Sequence, residues 1–252
     1  MSATGALPWR IEETCFNAFP SLKQVILGDW LMRFSDGLSR RANSVNPMRA
    51  ECVDAASVIT AAEPLYAAHR LPTVFRVPSI ADGVLDRELA AHGYTSEGES
   101  CVLYGAIDAV AAATDRDVQL LPRPEPRWLA AMAALQGHSP AQADTYRRIV
   151  AAIATPSRFA LLAVDGAPTA LAYGALHDGL LCYESVITDP RRRRQGLSRR
   201  IIASLASWAH ANGATGVCLQ VEARNAPARA LYAGLDLIEL YRYHYRRAPS
   251  RT

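Results

Sequence analysis

The chain has 252 residues, a formal net charge of +3, half of its residues apolar and a fifth charged. That composition excludes a disordered or collagen-like chain. The length allows one large domain or two small ones, and buries about 70–75% of the unfolded surface, so neither disulfide nor metal is needed for a core.

In chain order, residues 1–25 read as a lead-in with a short helix. Trp30 to Phe34 alternates as a strand, Asp36-Gly37 signals a hairpin, and Arg40 to Val45 returns as a second strand ending at Asn46-Pro47. A helix is predicted from about Val53 to His69 and a β-rich run over Thr73 to Val77. An amphipathic helix over Asp82 to His92 stops at Gly93, and Ser100 to Ile107 is a strand. Residues 108–127 read as a junction, because Pro122, Pro124 and Pro126 suit neither helix interiors nor central strands. Two helices follow, one carrying Trp128, Leu129, Met132 and Leu135, the other opening at Ser139-Pro140. Strands are predicted at Phe159–Val164, Thr169–Leu176 and Leu180–Thr188. A helix over about Gly196 to Asn212 has the apolar stripe Leu197, Ile201, Leu205, Trp208 and a stop at Gly213. Val217 to Val221 is a strand, Asn225 caps a short helix bearing Ala228, Leu231, Tyr232 and Leu235, and Ile238 to Arg246 is the closing strand.

The halves overlay. Asn46-Pro47 precedes Asp189-Pro190 by 143 residues, Phe75-Arg76-Val77 precedes Leu219-Gln220-Val221 by 144, and Gly93-Tyr94 precedes Asp236-Leu237 by 143. A recurring order of strand, (Asn/Asp)-Pro, helix, strand, helix, strand indicates two tandem copies of one unit.

The stretch that carries chemistry is YESVITDPRRRRQGLSRRII. A strand ends at Asp189-Pro190, and a helix starts directly after Arg193-Arg194-Gln195-Gly196-Leu197-Ser198. Amides at a helix start lack internal partners and face the positive end of the dipole, which makes an anion site. Gly196 permits close backbone approach and the arginines add charge for phosphate. It is neither a Walker loop nor a dinucleotide fingerprint, since G-x-x-x-x-G-K-[ST] and G-x-G-x-x-G are both missing.

ITDPRRRRQGLSRRIIASL resembles the pyrophosphate-binding motif Q/R-x-x-G-x-G/A of the GNAT superfamily of acyl-CoA N-acyltransferases, with Arg193, Gly196 and Ser198 at its positions. NAPARALYAGLDL is similar to the family's N-x-x-A-x-x-L-Y…G-F segment through Asn225, Ala228, Leu231 and Tyr232. The resemblance covers about residues 115–247. Ser198 replaces the final Gly/Ala, Asp236-Leu237 replaces Gly-Phe, and Gln220 stands where some members place a glutamate base. In the first half, ANSVNP takes the place of ESVITDP, and Cys52-Val53-Asp54 that of Gln195-Gly196-Leu197. That copy is therefore expected not to bind the cofactor, and either completes the fold or walls the acceptor site.

The resemblance implies an α+β fold with mixed sheets flanked by helices, in two tandem GNAT-like units. Residues 1–112 would form a degenerate unit and 113–252 a catalytic one. It implies acetyl-CoA as cosubstrate, threaded between splayed fourth and fifth strands. Val186, Ile187 and Thr188 would pair by backbone with the pantetheine arm. Arg193, Arg194, Gln195, Gly196, Leu197, Ser198 and Arg199 would hold the pyrophosphate, with Asn225 as a further contact besides its capping role. A primary amine would attack directly, with backbone N–H groups stabilising the oxyanion.

Two residues are candidate catalytic groups. In the family the tyrosine at Tyr232 donates a proton to the departing thiolate; otherwise Tyr232 is a core tyrosine. A phenol near 10 is about 1.5 units above a thiol near 8.5, so full transfer is uphill by about 2 kcal/mol, and a strengthening hydrogen bond suffices. Glu184 alternates with Val186 and Thr188, which predicts one shared face; Glu184 either binds the amine or passes its proton through water, or else is an edge-exposed or salt-bridged carboxylate.

Other readings are blander. The arginine run reads otherwise as a solvated turn. Tyr241, Tyr243 and Tyr245 alternate with Arg242, His244 and Arg246 as a two-faced strand, not a nucleic-acid platform. Cys182 and Cys218 read as core. The five cysteines (with Cys15, Cys52 and Cys101) contain no C-x-x-C pair, and the six histidines show no ligand spacing, so no metal is expected. No signal peptide or apolar run of about 18 residues is present, so a cytoplasmic protein without membrane contact is expected. The basic residues are 26 Arg and one Lys, Lys23, a balance too mild to imply nucleic acid. A monomer or homodimer acting on a small-molecule or peptide amine is the expectation. The alternatives are a non-catalytic acyl-CoA-binding scaffold or a nucleic-acid-binding regulator, the latter with steeply salt-dependent binding.

Overall fold

The computed structural model describes residues 3–51, 55–111 and 115–249. Cys52-Val53-Asp54 and the expected boundary at 112/113 lie outside the described residues. The first half runs α1 (Ala3–Ala18), β1 (Lys23–Leu27), β2 (Trp30–Phe34), β3 (Val45–Pro47), α2 (Ala55–Ala68), β4 (Val74–Pro78), α3 (Val84–Ala91) and β5 (Thr95–Ala106). The second runs β6 (Val118–Leu121), α4 (Pro126–Gln136), α5 (Pro140–Ala151), β7 (Ser157–Val164), β8 (Ala167–His177), β9 (Leu180–Thr188), α6 (Leu197–Ala211), β10 (Gly216–Glu222), α7 (Ala226–Ala233) and β11 (Ile238–Arg247).

All eleven strands form one mixed sheet, ordered β1-β2-β3-β4-β11-β5-β10-β9-β8-β7-β6. Leaving β6 aside, this order reads the same from either end when β1–β5 are matched to β7–β11. Each half gives its last strand to the other: β5 lies between β10 and β11, and β11 between β4 and β5. Neither half therefore completes its own sheet.

The apolar stripe of α6 decides which face it covers. Leu197, Ile201 and Leu205 pack with Tyr232 and Leu235 of the α7 segment on Leu181, Tyr183, Leu219 and Val221. Each such fully buried side chain contributes about 1.5–3 kcal/mol. The opposite face carries α1, whose Ile11, Cys15 and Ala18 meet Cys182, Cys218 and Tyr243. It also carries α4 and α5, whose Trp128 and Tyr146 meet Phe159 and Tyr173. A capping box of Ser139 and Gln142 starts α5.

Three expectations are corrected. Arg40 to Val45 is not a returning strand: Arg40–Ala42 is a short 3-10 turn and β3 begins only at Val45. Asn43 reshapes this loop, because its side chain accepts from the amides of Ser35 and Gly37 and donates to the Ser39 carbonyl. The return itself holds, since β3 pairs antiparallel with β2 from Trp30↔Pro47 to Met32↔Val45, and a further antiparallel hairpin, β1–β2, turns at Gly28-Asp29. In the junction, Val118–Leu121 forms β6 against β7, while Pro126 opens α4 at N1, where its missing N–H costs nothing. The strand bearing Tyr241, Tyr243 and Tyr245 is two-faced as expected, with those rings buried, but it is central in the sheet.

Candidate active site

Parallel β9 and β10 pair only at Gly216↔Leu180, Val217↔Leu181 and Cys218↔Cys182, although the strands continue to Thr188 and Glu222. Beyond Cys182 they part, which leaves the β10-facing edge of β9 without a strand partner. A bulge on the β8 side sharpens the split. Leu171 faces Ile187 but Tyr173 faces Glu184, so Ser185 and Val186 together oppose Ala172, and Ser185 takes φ +52°.

The bulge overturns one expectation. Glu184 does not share a face with Val186 and Thr188, because the extra residue reverses the alternation. Val186 packs under α6, and the Thr188 hydroxyl lies 2.7 Å from that of Ser198 on α6. Glu184 points to the other side, buried beside Cys182.

After β9, Asp189 caps a short turn: its Oδ1 accepts from the Arg191 amide at 2.9 Å, and Oδ2 from Arg191 Nη2 at 2.8 Å. The Arg191 side chain and amide hold its carboxyl down to about 2. Arg194 (φ +63°) and Gly196 (φ +75°) then take left-handed backbone and turn the chain into α6. Gly196 is the N-cap and offers no side chain to the first-turn amides. A Cβ built on it meets nothing within 4 Å, so open space lies above the loop.

The arginines divide by partner. Arg191 pairs with Asp189, Arg192 with Asp165, and Arg200 with Asp115 and Asp117. Among the described residues, exposed Arg193, Arg194 and Arg199 form no ion pair. Leu197 is the loop's buried anchor, and Gln195 is exposed.

Tyr232 on α7 is buried in the cluster under α6, and burial raises its phenol well above the usual value, helped by the Glu184 charge. Its hydroxyl makes no hydrogen bond among the described residues. Asn225 caps α7, its Oδ1 accepting from the Ala228 amide at 3.2 Å. Asp236 takes φ +57° after α7, a left-handed backbone that glycine adopts most readily, and Leu237 is buried against Gly105.

Comparison with known proteins decides the family. The model of the family described as "Probable histone acetyltransferase Rv0428c C-terminal" matches residues 9–246. The chain belongs to this acetyltransferase family. It is 25% identical over 241 residues to the uncharacterized N-acetyltransferase YobR of Bacillus subtilis (strain 168), spanning 94% of this chain and 97% of that protein. A GCN5-related N-acetyltransferase from Kribbella flavida superposes with TM-score 0.71 at 17% identity, over 100% of this chain and 97% of the other. A tandem GNAT protein from the clavulanic acid biosynthesis pathway superposes with TM-score 0.63 at 12% identity, over 83% and 76%. This chain is thus an acetyltransferase with a GNAT-type fold.

In the acetyltransferase, the first half reaches the β9–β10 split through Arg41. Its guanidinium donates to both Glu184 oxygens, at 2.6 and 2.7 Å, and to Gln220 Oε1 at 3.2 Å. Tyr243 donates to the same Gln220 oxygen at 3.1 Å. Burial pushes the Glu184 carboxyl up and the Arg41 charge opposes it. Glu184 is thus salt-bridged to Arg41 at the split. A cavity of about 520 Å³ opens beside this pair, lined by Arg40, Arg41, Ser100, Gln220, Tyr243 and Arg247 among others. On β10, Leu219 packs toward α6 whereas Gln220 lies on the alternate face, so the cavity sits across the sheet from Tyr232.

Sequence reading missed Arg41, Arg40 and Arg247. The one available signal was register: Arg41 stands 143 residues before Glu184, the offset of the repeat itself. Reading also missed that Cys15, Cys182 and Cys218, far apart in the chain, bring their sulfurs within 4.8 Å of one another at the apex of the split. Among the described residues no helix is long and apolar enough to cross a membrane.

Proposed function

We propose that the protein transfers the acetyl group of acetyl-CoA to a primary amine held in the cavity beside Arg41. The observation that carries this reading is the early end of the β9–β10 ladder at Cys182/Cys218, directly before a loop whose Gly196 leaves its amides uncapped. The donor set suits a diphosphate: first-turn amides of α6, the dipole behind them, and Arg193, Arg194 and Arg199, which are without an ion pair among the described residues. The Thr188–Ser198 hydroxyl contact fixes the strand end to the helix start, so Ser198 serves where the family motif has Gly or Ala.

Bound acetyl-CoA supplies a thioester that an amine attacks directly, releasing the thiol. Val186, Ile187 and Thr188 offer backbone pairing to the pantetheine arm, and β9 amides at the bulge polarise the carbonyl. The Tyr232 hydroxyl, protonated throughout the neutral range, donates to the sulfur as it gains charge. Glu184, engaged on both oxygens, positions Arg41, and the proton lost by the amine passes to water in the open cavity. The first half supplies Arg41 to this site and closes the sheet with β5. Calorimetric titration tests the reading: acetyl-CoA binds at micromolar concentration with one site per chain, and absence of binding at high micromolar concentration overturns it.

A further inference from the structure

We infer that the acceptor carries a carboxylate or comparable anion, bound by Arg40 and Arg247 on the cavity wall; this rests on the acetyl transfer proposed above. Charges around the cavity are unevenly matched. Arg41 is matched by Glu184, and Glu222 by Arg224. Arg40 and Arg247 share one carboxylate, and both reach the same oxygen, Glu97 Oε1, at 3.4 and 2.9 Å. Among the described residues, the charged groups of the lining and their partners are thus four guanidiniums to three carboxylates, which leaves one positive charge in excess at the wall.

The two guanidiniums are held in place. The Arg40 head lies 4.9 Å from the centre of the Tyr245 ring. It also fills the space above Gly98 (φ +63°), where a Cβ would stand 2.6 Å from Arg40 Cζ. Arg247 is tied to Glu97 through both Nε and Nη2. Such a preorganised fork favours a planar anion, and ordering costs little on binding. A lysine-rich tail would meet the excess positive charge instead, an unfavourable juxtaposition. The geometry therefore selects a small anionic amine over a basic peptide.

The test follows thiol release at saturating acetyl-CoA with the proteinogenic amino acids, their C-terminal amides, and the polyamines putrescine and spermidine. Acids exceed their amides in kcat/KM by about tenfold or more, the worth of a charged hydrogen bond. Arg247→Gln and Arg40→Gln lower the acids to the level of the amides and leave the amides alone. The inference is overturned if amides or polyamines equal the acids, if the variants lower both alike, or if acetyl-CoA binds and no acid is turned over. A coenzyme-free arm separates the two readings: succinate raises the Tm of the native protein and fails to do so in R247Q. Equal shifts, or none, overturn the anion subsite, whereas failure of acetyl-CoA binding with this arm intact overturns only the acetyl transfer.

Discussion

Arg41 and Glu184, 143 residues apart in the chain, grip each other through two charge-assisted hydrogen bonds. The pair joins the halves at the split: the carboxylate comes from the strand that parts, the guanidinium from the half without a recognisable phosphate loop motif. Arg41→Met strands a buried carboxylate, which costs about 3 kcal/mol in urea unfolding. The sign of its pH dependence follows. Without Arg41, burial outweighs the remaining pull of the Arg33 charge on Glu184 and raises its folded pKa further, so the native state binds more protons than the unfolded one. The variant's deficit then shrinks as pH falls from 8 towards 5. A deficit constant across that range would mean that Glu184 finds another cation.

Gly196→Ala separates backbone strain from ligand space. The residue sits at φ +75°, where a side chain costs about 1–2 kcal/mol. Nothing in the protein lies within 4 Å of the new Cβ, so no further clash adds to that. The methyl would instead occupy the space offered to the diphosphate. Acetyl-CoA affinity falls by more than about tenfold, beyond what folding stability loses. Equal affinity in calorimetry would place the diphosphate elsewhere.

What the sequence disclosed depended on whether the signal was local. The α6 stripe, the Gly213 stop and the Asn225 cap were legible because helix period and cap chemistry sit within a few residues. β1 was not, since Lys23–Leu27 is exposed throughout and shows no alternation of burial. The bulge at Ser185 has no compositional mark, so Glu184 was placed on the wrong face. Exchange of β5 and β11 was hidden because side-chain patterning specifies a strand's faces and not its neighbours. Arg41 fell in a stretch read as strand, while its role comes entirely from a partner in the other repeat.

The arginine run yields a contrast within four consecutive residues. Arg192→Ala breaks an exposed pair with Asp165 and leaves acetyl-CoA affinity unchanged, with stability within about 0.5 kcal/mol. Arg193→Ala and Arg194→Ala remove guanidiniums with no ion pair among the described residues. Each weakens acetyl-CoA by several-fold at low salt, and the loss narrows as salt rises through a few tenths molar. Uniform effects along the run would mean a diffuse field and no defined subsite.

Tyr232→Phe removes a hydroxyl that has no hydrogen-bond partner among the described residues, so stability changes by less than about 0.5 kcal/mol. Its phenol is raised above the ordinary tyrosine value by burial first and by the Glu184 charge second. It therefore remains a proton donor at every pH where the protein is assayed, and kcat shows no alkaline decline of its making below about pH 10. Loss of the donor lowers kcat by about a hundredfold while KM for acetyl-CoA stays level, since the hydrogen bond strengthens only as the thiolate forms. A fall in kcat that is rescued by an acyl donor with a more acidic leaving thiol, such as an acetylated aryl thiol, would tie the defect to the sulfur. An unchanged kcat would return Tyr232 to the core.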